Sequence, residues 1–318
     1  MPLQTHRCTL PVLATLAMLV LIRGEAAENS GPGGITAVPA PRPPTLEEAA
    51  NASYAGIYPD KSVTLREGRW DGQPLVPDGA SRPAVGLVQD FSLNGDLDGD
   101  GRQETVVFLW ESSGGSGTFN YLAVLARRGH SVVNLGTAPM GDRVQLRAGR
   151  IRGGRIELDV VQSGPGDAAC CPGQTATRVW SLQTDGLRED PVLAAGSRSL
   201  ADLAGVEWVL REFSSGEPVP ADAQVTLRFD DRRISGKSAC NRYFAEVQTG
   251  EMPGDLSVGE IAGTRMACPE EIMSVENRYL HALRNTTRHG FLSGTLALTW
   301  QHNGTLHTMR FSPRAPQE

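Results

Sequence analysis

Residues 296–311 read LALTWQHNGTLHTMRF. Two strand-like runs, Leu296–Trp300 and Thr305–Phe311, flank His302-Asn303-Gly304-Thr305. Asn-Gly suits the two positive-φ positions of a tight hairpin, which makes this the strongest turn signal in the chain. Trp208-Val209-Leu210 and Val225-Thr226-Leu227-Arg228-Phe229, farther back, are short runs of the same kind. The region 199–313 therefore reads as mainly strand. One helix interrupts it. Pro269 sits where a first-turn proline is harmless, and Glu270 and Glu271 suit a helix N-terminus. Ile272, Val275, Tyr279 and Leu283 then recur at three- and four-residue steps and mark one apolar face against the sheet.

Residues 51–184 have the same character. Segments 85–91, 104–110, 118–126, 143–148, 155–161 and 175–182 are rich in Val, Leu, Phe, Tyr and Trp, with Gly, Asp and Ser between them. Arg152-Gly153-Gly154-Arg155 reads as a hairpin turn. The fold class is mainly β, with two antiparallel β domains at 51–184 and 199–313. A linker is expected at 185–198 and a short tail at 314–318. Residues 28–50 are rich in Pro and Gly and read as a disordered or polyproline-like spacer. A short helix closes that spacer, with Thr45 as cap and Glu48 three residues on, as in a capping box. The length of 318 residues agrees, since domains run to roughly 100–200 residues.

Composition excludes some functions. Apolar residues make up 40%, charged residues 21%, and the mean hydropathy is -0.25, values of a soluble protein. The net charge of -6, from 30 basic against 36 acidic residues, disfavours a general grip on nucleic acid. With 6% aromatics, a base-stacking platform is also disfavoured.

The N-terminus reads as an address. Arg7 precedes the apolar run 9–22, and Gly24-Glu25-Ala26-Ala27 supplies small residues for cleavage. The run is shorter than the roughly 20 residues that span a bilayer. A signal peptide over 1–27 is expected, with export to the periplasm or medium and no stable membrane span after its removal. Cys8 lies before the apolar run, which disfavours a lipoprotein. Cys170, Cys171, Cys240 and Cys268 survive processing, and an exported chain with an even number favours disulfides. Four cysteines allow three pairings, which stay open at this point. Zinc is disfavoured because neither CxxC nor HExxH occurs.

The C-terminal region, residues 199–313, resembles the META/HslJ domain family. Leu203–Leu210 looks like its L-x-G-x-x-W-x-L strand, and Val225–Phe229 with Ile234-Ser235-Gly236 looks like the next strand pair. Ala239-Cys240-Asn241-Arg242-Tyr243 looks like its G-C-N-x-Y signature, with Ala239 in place of Gly. Ile261–Cys268 looks like its T-x-M-A-C signature. Asn241, Tyr243, Thr264 and Met266 are the matched signature residues. The resemblance implies a small lipocalin-like barrel with one helix, in an exported, often envelope-associated protein, stress-induced in some members. It implies no reaction. It also sets Cys240 and Cys268 in two signature strands of one domain, and these two are expected to pair. Residues 51–184 look like a domain that often precedes META domains in exported bacterial proteins, on pieces such as Asn51-Ala52-Ser53-Tyr54 and Cys170-Cys171-Pro172.

The sharpest chemical signal is an acidic loop. Asp96, Asp98 and Asp100 stand at positions 1, 3 and 5, Gly101 at 6, the Arg102 carbonyl at 7 and Glu104 at 9. Calcium takes six to eight oxygens, and alternating carboxylates on a tight glycine turn suit it. Position 12 is Phe108, so the loop is no complete EF-hand. The competing account is a solvated Asp-Gly turn between strands. Gly114-Gly115-Ser116-Gly117 lacks a following Lys-Ser/Thr and reads as a strand connection, not a phosphate loop. No G-x-S-x-G elbow occurs, and export makes Cys240 a disulfide partner before a nucleophile. The expectation is a non-enzymatic exported envelope protein, stress-related, with an envelope component or small ligand as partner. Two alternatives stand beside it: a calcium-dependent binding or adhesion module, and a small-molecule carrier with Trp208, Phe229 and Trp300 lining the barrel.

Overall fold

The computed structural model describes residues 42–191, 193–214 and 216–314. The expected signal peptide, Cys8, most of the 28–50 spacer and the end of the 314–318 tail lie outside the described residues.

A helical turn, α1 (Leu46–Ala49), opens the described chain with a complete capping box between Thr45 and Glu48. It leads into a hairpin of β1 (Ser53–Tyr58) and β2 (Lys61–Thr64). A five-stranded sheet follows, with β3 (Arg69–Asp71), β4 (Ala84–Gly95), β5 (Glu104–Ser112), β6 (Phe119–Arg128) and β7 (Ser131–Asp142) side by side in chain order. The next sheet is β8 (Gln145–Arg152), β9 (Arg155–Gln162), β10 (Gln174–Gln183), β11 (Gly186–Glu189) and β12 (Leu193–Ser197). Here β11 and β12 both pair with β10. All these pairings are antiparallel.

Strand β5 shows why the first two sheets stack. Its sequence ETVVFLWES is an almost continuous apolar run, which suits a strand buried on both faces. Val106 and Phe108 join a core with Leu122, Ile156, Leu158 and Trp180 between the two sheets. Val107 and Leu109 join Tyr54, Leu65 and Ala123 on the other face, under the β1–β2 hairpin. Each such large side chain contributes about 1.5–3 kcal/mol on burial.

The C-terminal sheet has nine strands. They are β13 (Glu207–Glu212), β14 (Thr226–Asp230), β15 (Arg233–Lys237), β16 (Arg242–Gln248), β17 (Ser257–Val258), β18 (Ala262–Gly263), β19 (Thr286–Leu292), β20 (Thr295–His302) and β21 (Thr305–Pro313). The spatial order is β17-β16-β15-β14-β13-β21-β20-β19, with β18 on β16. Leu256 N donates to Thr287 O at 3.0 Å and His289 N to Gly254 O at 2.8 Å, which draws the two ends together. Helix α2 (Glu270–Arg284) buries Tyr279, Ala282 and Leu283 in the interior, and Ile272 and Val275 pack on its margin. The expected Asn303-Gly304 turn is present, with φ of 49° and 78°.

One expectation changes. The stretch 185–198 is not a bare connector, because β11 and β12 lie within it and complete the sheet around β10. Its Gly, Asp and Pro suit loops, yet the one edge of β10 that β9 leaves free recruits the backbone. The two antiparallel β regions are present as expected, and both lie within one compact unit spanning Ala40–Glu318. Phe291 N donates to Gln145 Oε1 at 3.0 Å, and Arg147 pairs with Asp202 at 3.0 Å. Val161 of β9 sits in the C-terminal core. Among the described residues no helix is long and apolar enough to cross a membrane.

Candidate metal centre

Gly95 and Glu104 are register partners at the turn end of the β4–β5 hairpin, so residues 96–103 are its connecting loop. The Asp-Gly alternation folds this loop on itself. Asp96 Oδ1 accepts from Gly99 N at 2.7 Å, and its Oδ2 from Gly101 N at 3.0 Å. Asp98 Oδ1 accepts from Asp100 N at 3.1 Å, and Asp100 Oδ1 from Arg102 N at 2.8 Å. Gly99 and Gly101 take φ of 78° and 80°, a region that glycine enters without strain.

Glu104 ends the loop inside the protein, with 1% of its surface exposed. Its Oε2 accepts from Leu97 N at 2.8 Å. Burial raises its pKa, the Leu97 N–H opposes this, and the charges of Asp98, Asp100 and Asp96 raise it further. Ligand oxygens of Asp96, Asp98 and Glu104 lie within 4.8 Å of one another. Of the four expected carboxylates the fold thus gathers three. Asp100 falls outside this side-chain group, and the Arg102 carbonyl is a backbone ligand that the grouping of carboxylates does not include. Phe108 is a core residue of β5, consistent with the absence of a twelfth-position ligand.

Arg128, at the end of β6, was not foreseen. Its Nη2 lies 3.1 Å from Asp98 Oδ2 and its Nη1 3.3 Å from Asp100 Oδ2. The sequence offered only an Arg-Arg pair before a glycine. The meeting arises from the β5–β6 pairing, which sets Thr105 opposite Leu125. The loop borders a hollow of about 520 Å³ shared with Gly153, Gly154 and Gln183.

The other singled-out residues form a lock inside the C-terminal sheet. Asn241 Oδ1 accepts from Thr264 Oγ1 and from Met266 N, both at 2.7 Å. Asn241 Nδ2 donates to Glu276 Oε1 at 2.8 Å and to Met266 O at 3.3 Å. Glu276 Oε2 accepts from Asn241 N and Ser238 Oγ, both at 2.7 Å. Burial alone would raise the Glu276 pKa, but these hydrogen bonds outweigh it and hold it below the ordinary carboxylate range. Tyr243 donates to Thr226 O at 3.0 Å and meets the Tyr279 hydroxyl at 2.5 Å. Cys240 and Cys268 are bridged, with Cα atoms 6.0 Å apart. Cys170 and Cys171 also lie at bonding distance, with Cα atoms 3.8 Å apart. Asn241, Tyr243, Thr264 and Met266 therefore spend their polar groups on one another and on α2.

The chain is a mainly antiparallel β protein of two packed halves. Residues 201–313 match the family described as META domain, and the C-terminal region is a META domain. A structure titled "NMR structure of the protein from Burkholderia xenovorans" is 28% identical over 36% of this chain and 86% of its own, with a TM-score of 0.30. A second NMR structure is 23% identical over 35% of this chain and 93% of its own, with a TM-score of 0.29. No curated protein matches the chain.

Proposed function

We propose that the chain is an exported, non-enzymatic, stress-related protein of the cell envelope that binds calcium on its β4–β5 loop. The META domain supports the envelope and stress reading, since the family is associated with stress-related envelope proteins. The 9–22 apolar run supports export, and the resemblance of 51–184 to a companion domain of exported proteins agrees with it. The carrier reading loses ground, because Trp208, Phe229 and Trp300 are packed into a core with Tyr279, Leu283 and Phe311.

The observation that carries the calcium reading is the buried Glu104 carboxylate beside Asp96 and Asp98. A carboxylate held away from water next to like charges is costly, and a divalent cation reverses that cost. Asp96, Asp98 and Glu104 would hold the ion. Arg128 supplies part of the missing positive charge from the flank and competes with it.

The test uses protein recovered from periplasm or medium. Its N-terminus is expected near Ala27 or Glu28, and an intact Met1 on a cytoplasmic protein would overturn export. Calcium should raise its melting temperature, because a ligand bound only to the native state stabilises it by about 2.7 kcal/mol at 100 times Kd. Asp98→Ala should abolish the rise. Arg128→Gln should tighten calcium several-fold, the scale of a surface ion pair at about 0.2–1 kcal/mol. Identical melting curves in calcium and in chelator would leave the loop a turn.

A further inference from the structure

A cleft of about 910 Å³ opens between the two halves of the molecule. One wall is the chain leaving β12, and the other is the 248–255 segment of the META domain. Arg198 and His289 line it, and the bonding of both is incomplete. Neighbouring arginines are matched: Arg147 with Asp202 at 3.0 Å and Arg288 with Asp255 at 3.5 Å. Among the described residues, none of the ion pairs includes Arg198. Its guanidinium donates to the His289 carbonyl, and its Nε is buried without an acceptor. His289 is 4% exposed, and both ring nitrogens are buried without a partner.

The Arg198 fork is also held in place. A Cβ on Gly254 would stand 2.8 Å from Arg198 Nη1 and 2.9 Å from its Cζ, so the guanidinium lies close against bare backbone. Burial and the charges of Arg288 and Arg147, opposed by Asp202, press the Arg198 pKa down to about 10, which leaves it a cation at neutral pH. Burial and the charge of Arg198, opposed by the Gly254 backbone, hold His289 down to about 3, so its ring is neutral and has one N–H to donate. Asp202, whose charge acts on Arg198, is already bonded to Arg147, and a largely buried cation whose counter-charge is engaged elsewhere is costly, as is each unmatched polar atom. An anion supplies acceptors for the Arg198 Nε–H and for the one imidazole N–H of His289, and the planar fork of arginine matches the two oxygens of a carboxylate.

The other cleft residues narrow the choice. Asp167 already accepts from Gly164 N and Gly173 N, both at 2.7 Å. Asp231 and Glu251 line the cleft from exposed positions and outnumber its one exposed cation, Arg232. Their charges repel a phosphate dianion more strongly than a single carboxylate. We propose that this cleft binds a small carboxylate, gripped by the Arg198 guanidinium and the His289 ring.

The test titrates the full processed chain with sodium acetate, using sodium chloride at matched ionic strength as the control and inorganic phosphate as a competitor, followed by NMR of the arginine Nε–H signals. Acetate should shift one such signal saturably. Arg198→Gln should weaken acetate at least tenfold. Asp231→Asn with Glu251→Gln changes only exposed side chains and should tighten acetate several-fold at low salt. Where Arg198→Gln does not fold, this second variant decides. The proposal is overturned if chloride reproduces the acetate response, if phosphate binds more tightly than acetate, or if neither variant alters the affinity.

Discussion

Ala239 adopts φ of 82°, in the left-handed region where L-residues are strained. It stands where the resembling signature has glycine, the residue that this backbone region favours. Left-handed geometry costs an L-residue about 1–2 kcal/mol, and glycine loses about 0.5–1 kcal/mol more backbone entropy on folding. Ala239→Gly should therefore stabilise the protein by about 0.5 kcal/mol, which is a melting shift of about 1–2 °C for a chain of this size. A lower melting temperature would show that the buried Ala239 methyl outweighs the strain. The acidic loop was equally open to reading, because Asp and Gly alternate within nine residues. Arg128, Arg198 and His289 were not. Each acquires its role from a neighbour far away in the chain, and no local pattern announces that.

At the level of elements, Glu276 ties α2 to the two signature strands. Its folded pKa lies below that of an unfolded glutamate. The stability it contributes is thus present above the ordinary carboxylate range and is lost as pH falls through the lowered value. Glu276→Gln sets an amide against the Asn241 and Ser238 donors and should cost about 1–3 kcal/mol at pH 7. Urea midpoints should show the gap to the unmutated protein narrowing as pH falls from 7 to 3, and a constant gap would refute the ionic account. The Cys240–Cys268 bridge spans 28 positions beside this lock, and a loop of that length is worth ~3–4 kcal/mol in the chain-entropy account. Elements with apolar runs, clear turns or a helical stripe were legible, namely β4, β5, β6, β9, β10, the β20–β21 hairpin and α2. Strand β7 was not. Its sequence SVVNLGTAPMGD carries Gly and Pro and stays half-exposed along most of its length. It is an edge strand, where proline is tolerated, and its pairing with β6 overrides local propensity.

On the scale of the whole molecule, the two halves are expected to unfold together. Val161 enters the META core, Gly294 N donates to Leu146 O at 2.9 Å, and Arg310 reaches Asp90 at 2.7 Å. Calorimetry should give one transition with calorimetric and van't Hoff enthalpies in agreement. Two resolved transitions would mean that these contacts are too weak to couple the halves. The order of strands in the META sheet sets a further condition on assembly. Strand β21 is the last in sequence, yet it lies between β13 and β20, with Leu210 opposite Phe311 and Leu298 opposite Met309. A chain emerging from its N-terminus can build β13 to β18 early and can fold α2 and the β19–β20 hairpin next. These remain separate pieces with open edges until residues 305–313 arrive and stitch them together. The domain therefore closes like a zip whose slider is its final strand. A chaperone or translocation channel handling it would have to shield both β13 and β20 until the last moment of delivery.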